Sequence, residues 1–90
     1  MRVAIICIDK PGALQTRLDN RTAHLAHIAA TGVVEMAGPF LNPEGQMTGS
    51  LIVLTVETLA DAQTWASSDP YSKAGLFQSV AISEWKKVVG

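Results

Sequence analysis

The chain has 90 residues and a mass of 9.6 kDa, which leaves room for one hydrophobic core and excludes a multidomain enzyme; residues 1–90 are read as a single domain. Seven basic residues against eight acidic ones give a net charge of −1, and no basic stripe is interleaved with aromatics, so a nucleic-acid partner lacks its electrostatic footprint. With 48% hydrophobic and 17% charged residues the chain is apolar for its size, yet no run approaches the roughly 18 to 20 apolar residues of a membrane span, and neither a membrane anchor nor a signal peptide is expected. Folding a domain of this length buries surface worth on the order of 130 kcal/mol against an ordering cost of about 135 kcal/mol. Further burial at a subunit interface would therefore matter to its stability, and a homodimer is expected.

Val3 to Ile8 is apolar and rich in isoleucine, the pattern of a strand buried on both faces. Within it, the lone Cys7 excludes an internal disulfide and a cysteine-rich metal site; its expected role is that of a small buried hydrophobe, in keeping with a cytoplasmic chain. Lys10-Pro11-Gly12 ends the strand. From Ala13 to Thr31 the residues Leu14, Leu18, Leu25 and Ile28 recur at helical spacing, and Gly32 stands where a left-handed cap is expected. Val33 to Ala37 reads as a second strand stopped by Gly38-Pro39, and Asn42-Pro43-Glu44-Gly45 as an exposed turn. Ser50 to Val56 is the third strand, expected to pair antiparallel with the second.

Thr58-Leu59-Ala60-Asp61 resembles a capping box and opens a second helix that runs to about Ser67, with Leu59, Ala62 and Ala66 inward and Trp65 sealing the flank of the core. After Asp69-Pro70 comes a short helical turn ending at Gly75, and Ser79 to Val88 alternates as a last strand. The order is βαββαβ. This predicts an α+β, ferredoxin-like fold whose antiparallel sheet carries both helices on one face. Because the first strand is apolar on both sides, the bare face is expected to meet the same face of a second copy, pairing the subunits as a dimeric α+β barrel.

At 100° per residue, Arg17, Arg21, His24 and Ile28 share one side of the long helix, bordering the Leu14/Leu18/Leu25 stripe. His24 is then half-buried, either a core-edge histidine kept for packing or a base, and two arginines within two turns would favour its neutral form. His27 is expected to point to water. Two acids could orient His24. Asp9 ends the first strand beside the loop feeding the helix, and Asp69, before Pro70, has a competing explanation as an N-cap. Arg17 and Arg21 are either solvated charges or attractors of an anionic ligand. Two histidines three apart, one facing out, do not make a metal site, and no glycine-rich phosphate loop precedes a helix.

Arg21-Thr22-Ala23-His24-Leu25, Ala37-Gly38-Pro39, Gly49-Ser50, Asp69-Pro70-Tyr71 with Ala74-Gly75, and Ile82-Ser83-Glu84-Trp85 together resemble, in that order, the YciI-like (YCII-related) family over nearly the whole chain. The resemblance implies small homodimers of ferredoxin-like subunits with a histidine/aspartate site in a cleft, and some relatives are similar to dehydrochlorinases of chlorinated-aromatic breakdown. Carried over, the family histidine falls on His24, the aspartate of the Asp-Pro motif on Asp69, and an acidic position at the end of the first strand on Asp9. Tyr71 and Ser72 stand where substrate-contacting residues are expected. The function this implies is cofactor-free acid–base chemistry, elimination or isomerisation, on a small cyclic, anionic ligand. His24 is the base in that reading, Asp9 or Asp69 its orienter, and Arg17 or Arg21 the anion attractor. The rival is a non-catalytic module binding a small molecule or a partner protein.

Overall fold

The computed structural model describes residues 1–90. Its elements are β1 (Arg2–Asp9), α1 (Leu14–Thr31), β2 (Val34–Leu41), β3 (Met47–Thr55), α2 (Leu59–Ser68), α3 (Pro70–Lys73) and β4 (Phe77–Glu84). The four strands form one sheet in the order β2-β3-β1-β4, antiparallel at every pairing, which is the expected α+β arrangement. Both main helices lie on one face. No helix is long and apolar enough to cross a membrane.

Register decides which side chains meet the helices, because partners across an antiparallel ladder share a face. Val3 opposes Leu54, Ile5 lies between Ile52 and Ile82, and Cys7 lies between Ser50 and Val80; this is the covered face. Val3, Ile5, Cys7, Ile52 and Leu54 join Ala62, Trp65 and Ala66 of α2 in the core. The small Ala62 and Ala66 let α2 approach the sheet closely. On the other face, the exposed Ile6, Ile8, Met36 and Phe40 have no covering element in this chain.

The capping chemistry follows the sequence. Thr58 Oγ1 accepts the Asp61 N–H at 3.1 Å, and Gly32 ends α1 with φ 66° in the left-handed region, its N–H reaching the Ile28 carbonyl. Strand boundaries differ from expectation in places: β3 begins at Met47 rather than Ser50 and β4 at Phe77 rather than Ser79. β2 passes through Gly38-Pro39 to Leu41, because it is an edge strand and a proline there removes no needed ladder bond. β4 stops at Glu84 rather than Val88, since β1 begins at Arg2 and no strand remains to pair with later residues beyond the Trp85 N–H bond to the Arg2 carbonyl.

The larger correction concerns α1. The leucine stripe is not its inner face: Leu18 is 47% and Leu25 46% exposed, and the side chains α1 buries are Arg17 and His24, with Ile28 packed partly against the core. The two stripes are one residue, about 100°, apart. A helix can turn a charged stripe inward when each buried group finds a partner, and those partners come from β1 and from the turn before α3, far away in sequence. Leu59 is likewise exposed. His27 does not face open water either, but tilts over Trp65 at 4.7 Å between ring centroids, with Nε2 3.3 Å from the Trp65 carbonyl.

Candidate active site

A cavity of about 110 Å³ opens between α1 and the β2-β3 side of the sheet, lined by Arg17, Arg21 and His24 of α1, Gly38 and Pro39 of β2, Ser50 of β3 and Tyr71 of α3, among others. Chain topology assembles it. α1 and the β2-β3 side of the sheet form its walls, and the Asp69-Pro70 break between α2 and α3 brings Tyr71 against His24 of α1.

Asp69 performs two tasks with one oxygen. Its Oδ1 caps α3 by accepting the Tyr71 N–H at 3.0 Å and also accepts from His24 Nδ1 at 2.8 Å. The cap and the orienting role, alternatives in the sequence, coexist here. With Nδ1 as donor, Nε2 is the lone-pair nitrogen. It has no protein partner and is not sealed in, and His24 lines the cavity, so that lone pair is available to a ligand. The imidazole stacks on Tyr71 with centroids 4.0 Å apart and planes 16° from parallel.

Asp9 and Arg17 are placed otherwise than the sequence suggests. Both Asp9 oxygens bond to Arg17, Oδ2 accepting from Nε at 2.7 Å and Oδ1 from Nη2 at 2.8 Å, so Asp9 does not orient His24. Arg17 Nη2 also donates to Ser50 Oγ at 3.0 Å. Burial opposes the Arg17 charge, but the bonded Asp9 carboxylate overcomes it and holds the guanidinium above its ordinary pKa. The guanidinium carbon lies 4.7 Å from the Tyr71 ring centroid. Arg17 and His24 thus both contact the Tyr71 ring.

Arg21 makes no ion pair or side-chain hydrogen bond and is the unpaired cation at the cavity. Ser72 lines a different groove, with Ser67 and Val80, and does not join the site. Burial raises the Tyr71 phenol above its ordinary value, with Arg17 pulling the other way, so the group is a protonated donor at neutral pH. Cys7 is pushed up to about 12, first by burial and then by the Asp69 charge, and is a thiol rather than a nucleophilic thiolate. Ser50 stands in the sequence only as part of the Gly49-Ser50 motif and is not assigned to the site there. Its signal was a polar side chain on the inward parity of β3, in phase with Ile52 and Leu54.

A sheet with both helices on one side and a histidine–aspartate pair in a small cleft define the class: an α+β domain with the fold of the dimeric α+β barrel proteins. The profile of the YCII-related domain matches residues 1–86, and the chain belongs to the YCII-related family. It is 37% identical to Protein YciI of Escherichia coli over 98% of this chain and 99% of that one, and 35% identical to an uncharacterized protein of Haemophilus influenzae over the same shares. Among solved structures it is similar to the 5-chloro-2-hydroxyhydroquinone dehydrochlorinase of Burkholderia phenoliruptrix, solved in complex with 2,5-dihydroxybenzoquinone. That likeness has 34% identity, a TM-score of 0.87, and coverage of 96% of this chain and 94% of that one. A likeness to an antibiotic biosynthesis monooxygenase, at 10% identity and a TM-score of 0.61, concerns the fold alone.

Proposed function

We propose that the chain is a cofactor-free enzyme in which His24 acts as general base on a single-ring, oxygen-rich, anionic ligand, with elimination or isomerisation as the reaction class. The observation that carries this reading is the His24–Asp69 pair at 2.8 Å with the second ring nitrogen open to a cavity. The likeness to a dehydrochlorinase supports elimination. The cavity encloses about 110 Å³, less than the roughly 150 Å³ that holds benzene, so a single ring would sit partly in it and partly at its open mouth.

Each side chain then has one task. Arg21 draws the anion in, and the Tyr71 hydroxyl donates to a ring oxygen. His24 Nε2 takes a proton from substrate carbon or oxygen, and the electrons left behind form a new double bond while a leaving group such as chloride departs with its own bonding pair. The Asp69 carboxylate holds Nδ1–H in place and stabilises the imidazolium that forms. The working unit is proposed to be a homodimer joined through the bare sheet face.

The test is His24→Asn. It removes the base and should lower turnover of chlorinated or hydroxylated single-ring substrates by about 10² to 10⁴. Because His24 is buried and doubly held, the variant should lose roughly 1 to 3 kcal/mol but stay folded. Titration with 2,5-dihydroxybenzoquinone reads binding separately. A folded variant that keeps full turnover removes His24 as the base; binding without turnover across that substrate class makes the protein a ligand-binding module.

A further inference from the structure

We infer that the buried Asp9–Arg17 pair is a positioning device that sets the direction of the His24 lone pair through Tyr71, rather than a subsite for the ligand. The inference rests on the proposed role of His24 only for its consequence in catalysis; its structural content is independent of any substrate.

A histidine base needs its lone pair held in one direction. One hydrogen bond at Nδ1 restrains a distance to Asp69 and leaves one combination of the two side-chain torsions soft. A second constraint, normal to the ring plane, is required before Nε2 has a defined direction. The Tyr71 ring, 4.0 Å away and nearly parallel, supplies it. A stacked ring is a firm backing only if it cannot itself slide or tilt.

Two groups prevent that. The edge-on Phe77, 6.0 Å away at 82°, limits sideways movement, and the Arg17 guanidinium, over the ring at 4.7 Å from its centroid, limits tilt. Arg17 is itself overdetermined. Asp9 grips it with two parallel bonds, and Ser50 adds a third from the neighbouring strand. The guanidinium plane is thereby fixed to β1 and β3, the central strands of the sheet.

The result is a chain of contacts, Asp9–Arg17–Tyr71–His24–Asp69, with a carboxylate at each end. Arg17 and His24, seven residues apart, lie two turns apart on one face of α1, and both reach the Tyr71 ring. Nε and Nη2 of Arg17 are already committed to Asp9 and Ser50, whereas every donor of Arg21 is free of partners. Planarity and the two-pronged grip also explain why this position needs arginine; a lysine ammonium can neither stack nor pair in that way.

The experiment compares Arg17→Lys with the double variant Asp9→Leu/Arg17→Met, using proton NMR of the Tyr71 and His24 rings and titration with 2,5-dihydroxybenzoquinone. The double variant removes both charges together, so no unpaired ion is left buried; Arg17→Lys keeps a cation opposite Asp9 and holds the charge balance. In both, Tyr71 should flip faster, and the ring-current shifts that Tyr71 imposes on the His24 ring protons should shrink. Affinity for the quinone should fall about tenfold through misplacement of His24. Folded variants whose Tyr71 and His24 signals match the parent protein would overturn the inference, leaving the pair as a tie between β1 and α1. Weaker quinone binding with unchanged ring signals would also overturn it, by showing that Arg17 contacts the ligand directly. If the parent protein does not bind the quinone, the proposed function loses its ligand class, but the ring signals still decide whether the clamp exists.

Discussion

The side chains that matter most sit where two demands fall on one atom. Asp69 Oδ1 closes the first turn of α3 and holds His24, and substitutions separate these demands. Asp69→Asn should keep the cap, since asparagine is a strong N-cap residue, while removing the charge that stabilises an imidazolium. We expect a loss of about 1 kcal/mol in a thermal melt with turnover reduced about 10² to 10⁴. Equal losses of stability and activity would instead mark Asp69 as a cap only. Cys7 offers a test that needs no substrate. Its thiol is raised from 9.0 to about 12 by burial and by the Asp69 charge, so the folded state binds this proton more tightly than the unfolded one. The associated stability is complete below the unfolded pKa and is lost as pH rises from 9.0 through about 12, at up to about 1.4 kcal/mol per pH unit. Chemical denaturation of the parent protein and Cys7→Ala across that range should give slopes differing in this sense, the shared lysine and tyrosine titrations cancelling in the difference. Parallel slopes would show that the thiol ionises as freely in the folded state as in the unfolded chain.

At the scale of elements, the sequence carries the strand and helix order almost unaided, because period-2 and period-3.6 patterns, the Thr58 cap, the Gly32 cap and the Asp69-Pro70 break are all local. The inward face of α1 was not legible. Leu14, Leu18, Leu25 and Ile28 form an ordinary apolar stripe, and nothing within one turn of Arg17 or His24 reveals that Asp9 lies on one and Asp69 on the other. Tertiary pairing overrode the pattern. The site was legible to the same degree. The histidine and its aspartate are marked by a resemblance and by chemistry, whereas the Asp9–Arg17–Ser50 cluster depends on strand register and could only be read from coordinates. A pair of substitutions makes the correction measurable. Leu25→Asn, at a position 46% exposed, should change stability by no more than about 0.5 kcal/mol, whereas Ile52→Ala, in the buried cluster, should cost roughly 2 to 5 kcal/mol. Similar melting losses for the two would return Leu25 to the core.

For the whole molecule, the decisive feature is that the sheet has a helix-covered face and an uncovered one, and the apolar residues are divided between them. Ile5 and Cys7 point to the helices, while Ile6 and Ile8 of the same strand point away and are exposed together with Met36 and Phe40. Register places Ile6 beside Leu51 and Ala81 and Ile8 beside Gly49 and Ser79, so the bare face is a continuous surface of apolar and small side chains with few charges. A face of this kind is an interface or an aggregation liability, and two such faces stacked about 10 Å apart would bury each other's side chains as a sandwich core does. Sedimentation equilibrium at low micromolar concentration should therefore report about twice 9.6 kDa. Ile6→Asp, which would place a charge in the middle of that interface, should lower the apparent mass to that of one chain and weaken folding at the same time, because the stability of an obligate dimer depends on its concentration. The cavity lies on the opposite face, so in whatever fraction remains folded the His24 and Tyr71 ring signals should stay as they are in the parent protein. A stable, soluble monomer for the unaltered chain would contradict the dimer. A monomeric Ile6→Asp protein that melts as high as its parent would show that the bare face contributes nothing to the fold.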